Sequence, residues 1–195
     1  ELSMAKLKET PSQTAGPYVH IGLAPAAAGF DIFDTTLGPD PATPDAAGEH
    51  ITVEGVVWDG NGDPVTDVLI EVWQADAEGR YHTSPSNSFR GWGRVVSDFD
   101  SGAWTFDTIK PGAAPGEGAP HIAFWIVARG INLGLNTRAY FDDEAAANAG
   151  DPVLTAMPDD RRQTLIATRS ERDGKPVYRF DIRLQGPGET VFFDV

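Results

Sequence analysis

The sequence of 195 residues contains no cysteine, which excludes a disulfide framework and any thiolate metal site. No apolar run approaches the roughly 18–20 residues that a bilayer-crossing helix needs. The first ten residues mix charged and apolar side chains and lack the apolar stretch of a secretory signal. Positive charge is also scarce: 15 Lys and Arg stand against 29 Asp and Glu, a formal net charge of −14. A chain this acidic offers no basic footprint for phosphates, so nucleic acid is excluded as a partner. The same field repels small anions at long range, and an anionic ligand would need a local cation to approach. A cytoplasmic protein without membrane attachment is the expectation.

Hydrophobic residues make up 41% of the chain, enough for one well-buried core. Strand signals dominate. Runs rich in β-branched and aromatic residues predict strands over 51–58, 68–74, 93–98, 103–107, 121–129, 177–184 and 190–193. Dense turn chemistry separates them at Asp59-Gly60-Asn61-Gly62-Asp63-Pro64, Asp76-Ala77-Glu78-Gly79 and Asp100-Ser101-Gly102. In 177–184, alternation puts Tyr178, Phe180, Ile182 and Leu184 on one face and Arg179, Asp181 and Arg183 on the other. Short helices are predicted over 142–150 and 159–167, each with acids in its first turn. Residues 24–48 read as a surface excursion with Phe30, Ile32 and Phe33 as anchors. The fold expected is all-β: a single-domain β-sandwich over 1–195 with short helices and long loop excursions, residues 1–48 forming an N-terminal arm and excursion. The five tryptophans, Trp58, Trp73, Trp92, Trp104 and Trp125, are expected in the core or a subunit interface.

Candidate chemistry is sparse. Residues two apart on a strand share a face, so His-x-His would place two imidazoles beside one metal, yet the chain reads His121-Ile122-Ala123. Tyr81 offers a phenolate upstream, and Ala114 stands where a second tyrosine could have stood. Two donors are too few to hold a metal ion. The plainer alternative for Tyr81 and His121 is a sandwich tyrosine and a half-buried histidine with satisfied hydrogen bonds. His82 falls on the face opposite Tyr81, and His20 and His50 have no partner at ligand spacing. Ser12, Ser84 and Ser97 lack a Gly-x-Ser-x-Gly elbow, and Gly60-Asn61-Gly62 reads as a turn rather than a phosphate loop. In Gln13-Thr14-Ala15-Gly16-Pro17-Tyr18-Val19-His20, Gly16 permits close backbone approach, Pro17 stiffens the chain, and Tyr18 brings a ring with a polar tip suited to an aromatic acid. The alternative is an arm pinned down by Tyr18 and Val19. Arg129 ends an apolar run and precedes Gly130, a placement that puts its planar fork at a pocket rim where it can pair with a carboxylate. An ordinary surface arginine, or one paired within this acidic chain, is the alternative.

From Thr10-Pro11-Ser12-Gln13-Thr14-Ala15-Gly16-Pro17-Tyr18 to Gly188-Glu189-Thr190-Val191-Phe192-Phe193-Asp194, nearly its whole length, the chain resembles the intradiol ring-cleaving dioxygenases. Their ferric ion is held by two tyrosines and two histidines. The likeness is stronger to the alpha type of subunit, which does not hold the iron. The resemblance implies that Tyr81 and His121 are remnant positions and that Ala114 and Ala123 replace ligands. Gly118 and Arg138 stand where the catalytic chain carries an arginine and a glutamine. It implies Fe(III) on a partner beta chain, no metal and no catalytic residue in this chain, and inactivity of this chain alone. Thr14, Gly16, Pro17, Tyr18 and Arg129 would bind substrate at the shared site, where a small aromatic acid meets dioxygen in a higher-order alpha–beta oligomer. Two other readings stay open: a self-sufficient single-chain dioxygenase, and a non-enzymatic β-sandwich module binding carbohydrate or protein.

Overall fold

Strand β1 (His50–Trp58) alternates inward and outward residues, with Ile51 and Val53 fully buried. It pairs antiparallel with β4 (Ala103–Ile109) and, on its other side, parallel with β8 (Lys175–Arg179) and then β9 (Ile182–Arg183). The other half of the sheet contains β2 (Leu69–Gln74), β3 (Trp92–Val96), β5 (His121–Val127) and β6 (Leu135–Phe141), in the order β3-β2-β5-β6. Strand β7 (Ile166–Arg172) joins the halves: Ile166 and Ala167 pair with β6, and residues 168–172 pair with β8. The computed structural model describes residues 8–36, 38, 40–82 and 88–194; Ser84 and the first seven residues lie outside the described residues.

Apolar side chains from both halves meet between them. Val53, Ile70, Val72, Trp104, Phe106, Ile122, Phe124, Ile126, Phe141, Tyr178 and Phe180 form one core, the arrangement expected of a sandwich. Buried Gln74 stitches the halves at one end, donating to the Ile109 carbonyl at 2.9 Å and accepting from the Thr108 hydroxyl at 2.7 Å. All five tryptophans lie in strands, but Trp104 is buried whereas Trp73 is 39% exposed.

The structure departs from the sequence-based expectations at several places. The run 177–184 keeps its expected alternation, with Tyr178, Phe180 and Ile182 buried and Arg179, Asp181 and Arg183 exposed, but it is two strands. The break arises because the Val56 amide donates to the Asp181 carboxylate at 2.9 Å instead of to a strand carbonyl. Residues 190–193 form no strand, only a bridge between Phe193 and Asn136. The helix expected over 159–167 stops as α4 (Asp159–Gln163), because Ile166 and Ala167 are drawn into β7 beside β6. Within the excursion, Phe30, Ile32 and Phe33 face solvent; buried Ala42 and Ala46, packed with Phe89 and Ile109, anchor it instead. The helix expected over 142–150 is a 3-10 turn (Asp142–Glu144) followed by α2 (Ala145–Gly150). Strands β6 and β7 and the short helices α1 (Pro17–Leu23) and α3 (Pro152–Thr155) had no counterpart among the expected elements.

Gly55 is the point in β1 that admits this packing. A Cβ there would collide with the Phe180 carbonyl and the Trp104 ring, both buried. Overpacking of a tight core costs about 1–3 kcal/mol. Gly55→Ala should therefore lower the urea midpoint by an amount corresponding to about 2 kcal/mol or more, and an unchanged midpoint would contradict this account of the packing at Gly55.

Candidate functional site

Two regions contain the residues singled out above, and they occupy opposite ends of β5. At its N-terminal end, His121 is buried and directs Nδ1 to the Ala119 carbonyl at 2.9 Å. Burial holds its imidazole below the ordinary value, so the ring is neutral at neutral pH. Tyr140, opposite His121 in the β5–β6 register, packs its ring 5.3 Å from the imidazole. Ala123 lies between Trp73 of β2 and Arg138 of β6 in one cross-strand row. Tyr81 stacks on Trp73 with ring centroids 5.9 Å apart, and its hydroxyl donates to Glu117 at 2.9 Å. The guanidinium of Arg138 lies 5.6 Å from the Phe193 ring and 3.5 Å from the Tyr140 hydroxyl, and it forms no ion pair among the described residues.

These side chains do not suit ferric iron. Burial, reinforced by the hydrogen bond and charge of Glu117, pushes the Tyr81 phenol up to about 12, whereas a tyrosine ligand must give up its proton to bind the metal. Ala114 and Ala123 carry no donor atom. Arg138 supplies a fixed positive charge beside the place a cation would take. Gly118, at φ +87°, has no room for a side chain, since a Cβ would meet the Asp151 carboxylate. That carboxylate is fully buried and committed: it caps α3 through the Val153 and Leu154 amides, each at 2.8 Å, and accepts from the Ala119 amide at 2.8 Å. Among the described residues no group of three or more His, Asp and Glu could hold a metal.

The loop carrying Tyr81 is organised by Asp76. One oxygen of Asp76 accepts from the amides of Glu78 and Arg80, both at 2.9 Å, and the other meets His82 Nε2 at 2.8 Å and Arg80 Nε at 3.2 Å. His82 is thereby turned away from Tyr81, toward Asp76 and the Phe89 ring, as its place in the sequence suggested.

At the C-terminal end of β5 the structure brings the arm and Arg129 together. The Thr14 hydroxyl accepts from the Gly130 amide at 2.6 Å. Helix α1 follows, with Pro17 in its first turn and Gly16 as N-cap. The arm is held by Thr14, by buried His20 against Phe99, and by the Leu23 carbonyl, which accepts from Arg94 at 2.8 Å. Tyr18 does not pin it: the ring is 84% exposed. Gly16, Pro17, His20, Asp67, Phe99 and Arg129 line one recess of about 650 Å³. Arg129, with its side chain 76% exposed, pairs through Nε with Asp67 at 3.1 Å. Pairing within the chain, the alternative weighed for this arginine, therefore occurs while most of the side chain remains in solvent.

Several residues of these clusters carried no local signal. Asp67, Glu117 and Tyr140 are brought in by pairing between strands distant in sequence. Asp151 did carry one: an Asp before Pro152 is a helix start. So did Asp173-Gly174, both at positive φ, the two-residue hairpin that marks β7 and β8.

Comparison with known proteins places the chain. A family model described as Dioxygenase matches residues 33–186, and the chain belongs to that family. It is 57% identical over 195 residues to the protocatechuate 3,4-dioxygenase alpha chain of Pseudomonas putida, covering 96% of this chain and 97% of the relative. It is also 38% identical over 160 residues to the protocatechuate 3,4-dioxygenase beta chain of Burkholderia cepacia, covering 73% of this chain and 67% of the relative. The fold matches the dioxygenase domain of a dioxygenase carbohydrate-binding protein fusion from Streptomyces sp. SirexAA-E, with a TM-score of 0.58 and 23% identity over 93% of this chain and 100% of that one. The likeness read from the sequence therefore holds for family, subunit type and fold.

Asp76 gives this region a pH dependence. Burial raises its pKa, but the hydrogen bonds from His82, Arg80 and Glu78 outweigh burial and hold it at about 2, below the ordinary aspartate value of 3.8. A depressed carboxylate stabilises the fold fully above its unfolded value, and that contribution fades as pH falls toward the folded one. Asp76→Asn should cost about 2 kcal/mol at neutral pH, with the difference from the parent shrinking between roughly pH 4 and 2. A constant difference across that range in urea titrations would contradict it.

Proposed function

We propose that this chain is the non-iron-binding alpha subunit of a protocatechuate 3,4-dioxygenase, a cytoplasmic single-domain protein that works only beside an iron-bearing beta subunit. The observation carrying this reading is the separation of the two regions. Strand β5 runs from His121 to Val127, so at about 3.3 Å per residue the remnant cluster and Arg129 lie on the order of 20 Å or more apart. None of Tyr81, His121 and Arg138 lines the recess shared by Gly16, Pro17 and Arg129. Arg129 and the arm thus cannot serve a metal held by their own chain, and their exposure suits a neighbour's site.

Ferric iron held by the partner would supply the oxygen chemistry, in which the bond between the ring's two hydroxyl-bearing carbons breaks and each of those carbons gains one atom of dioxygen, giving 3-carboxy-cis,cis-muconate. This chain contributes pocket wall and binding. Gly16 and Pro17 bring a rigid backbone close to the ligand. Thr14, tied to Gly130, fixes the arm against the Arg129 loop, and exposed Tyr18 reaches outward to the partner or the aromatic ring. Arg129 supplies the local positive charge that a chain of net charge −14 needs to receive a carboxylate. A higher-order alpha–beta oligomer is the expected assembly.

Two experiments test this. The chain purified alone should contain no stoichiometric iron and show no tyrosinate-to-iron absorption, both arising only with the second chain; iron held tightly by this chain alone would overturn the reading. In the intact complex, Arg129→Ala should raise KM for the aromatic acid roughly tenfold, equivalent to about 1.4 kcal/mol, and unchanged steady-state kinetics would remove Arg129 from the site.

A further inference from the structure

Asp67 and Arg129 face each other across the open end of the β2–β5 ladder. Leu69 pairs with Val127, and the same antiparallel register carried two residues outward sets position 67 opposite position 129. The residues are held with unequal firmness. Asp67 adjoins fully buried Val68, whose amide donates to the Ser97 hydroxyl at 3.0 Å and whose carbonyl accepts from the Ser97 amide at 2.9 Å. Arg129 adjoins Gly130, at φ +92°, in an exposed turn held by the Ile131 amide on the Ala128 carbonyl at 3.1 Å and by the Gly130 amide on the Thr14 hydroxyl at 2.6 Å. The Arg129 side chain is 76% exposed against 24% for Asp67. The firm carboxylate therefore restrains the loose guanidinium.

The restraint uses one edge of the fork. Asp67 meets Nε, and among the described residues the Nη groups of Arg129 have no hydrogen-bond partner. The pair stands as a ridge between two recesses. One is lined by Gly16, Pro17, His20 and Phe99, the other by Asp59, Pro64, Gly130 and Leu184. Without a tether, an arginine here could swing its fork to either side, and ordering it on binding would weaken affinity.

We propose that Asp67 is a positioning residue for Arg129: it holds the Nε edge at the end of β2 and leaves the Nη edge directed at the carboxylate of the incoming aromatic acid. The proposal rests on the reading of Arg129 given above. One effect opposes it, since Asp67 adds negative charge where an anion must arrive. That repulsion is screened by salt, whereas tethering is not, so ionic strength separates the two.

The test uses the intact alpha–beta complex, with iron content and assembly measured for each variant. Asp67→Asn, with Asp67→Ser as a companion, should raise KM for the aromatic acid roughly three- to fivefold, with kcat within about twofold. The increase should persist at high salt. Asp67→Glu, which retains the tether's charge, should return KM to within about twofold of the parent. In an Arg129→Ala background the Asp67 substitutions should add nothing, as expected of residues acting through one contact. A KM lowered or unchanged by Asp67→Asn and Asp67→Ser, in a complex where Arg129→Ala alone raises it, would overturn the positioning role and leave the role of Arg129 standing. Unchanged KM in Arg129→Ala itself would overturn both.

Discussion

The antiparallel register of β2 against β5 is the constraint on which the rest depends. Set by Leu69 opposite Val127 and Gln74 opposite Ile122, it places Trp73 beside Ala123 at one end and aligns Asp67 with Arg129 at the other. A slip of one residue would turn buried Ile70, Val72, Ile122, Phe124 and Ile126 outward. Burial of one face of the sheet thus enforces the register, and the register then disposes every polar group discussed. The core therefore determines that the His121 cluster and the arginine belong to different ends of the molecule.

Chemically the two ends contrast. Around His121 the polar groups are spent on one another: Tyr81 on Glu117, the imidazole on a backbone carbonyl, and Asp151 on three amides. Such a network is structural and offers nothing to a metal. Around Arg129 the reverse holds, with an exposed phenol at Tyr18, a guanidinium restrained at one edge, and a backbone arm of Gly16 and Pro17. Unsatisfied potential at the surface marks the end that a ligand or partner would complete.

Much of this was legible in the sequence, for local reasons. β1, β2, β4 and β5 announce themselves through β-branched and aromatic runs bounded by Asp and Gly turns, and the absence of ligands at Ala114 and Ala123 needs no coordinates. β6 was missed because residues 135–141 include Asn136, Thr137 and Arg138, which imitate a loop until pairing with β5 organises them. The C-terminal part of the expected 159–167 helix was lost to tertiary pairing with β6, which outbid local propensity. Phe30, Ile32 and Phe33 misled because apolar character does not say whether a surface faces its own core. Asp67 was illegible for a different reason: its partner lies 62 residues away, and only the ladder brings them together.

The glycine at 118 and the carboxylate at 151 constrain each other. With the Asp151 carboxylate occupying the space a side chain would need, no substitution at this position can be accepted while that carboxylate stays. Yet removing it would uncap α3 and orphan the Ala119 amide. The two positions are therefore coupled: a side chain at 118 and the Asp151 cap of α3 compete for one volume, so a change at either is tolerated only together with a change at the other.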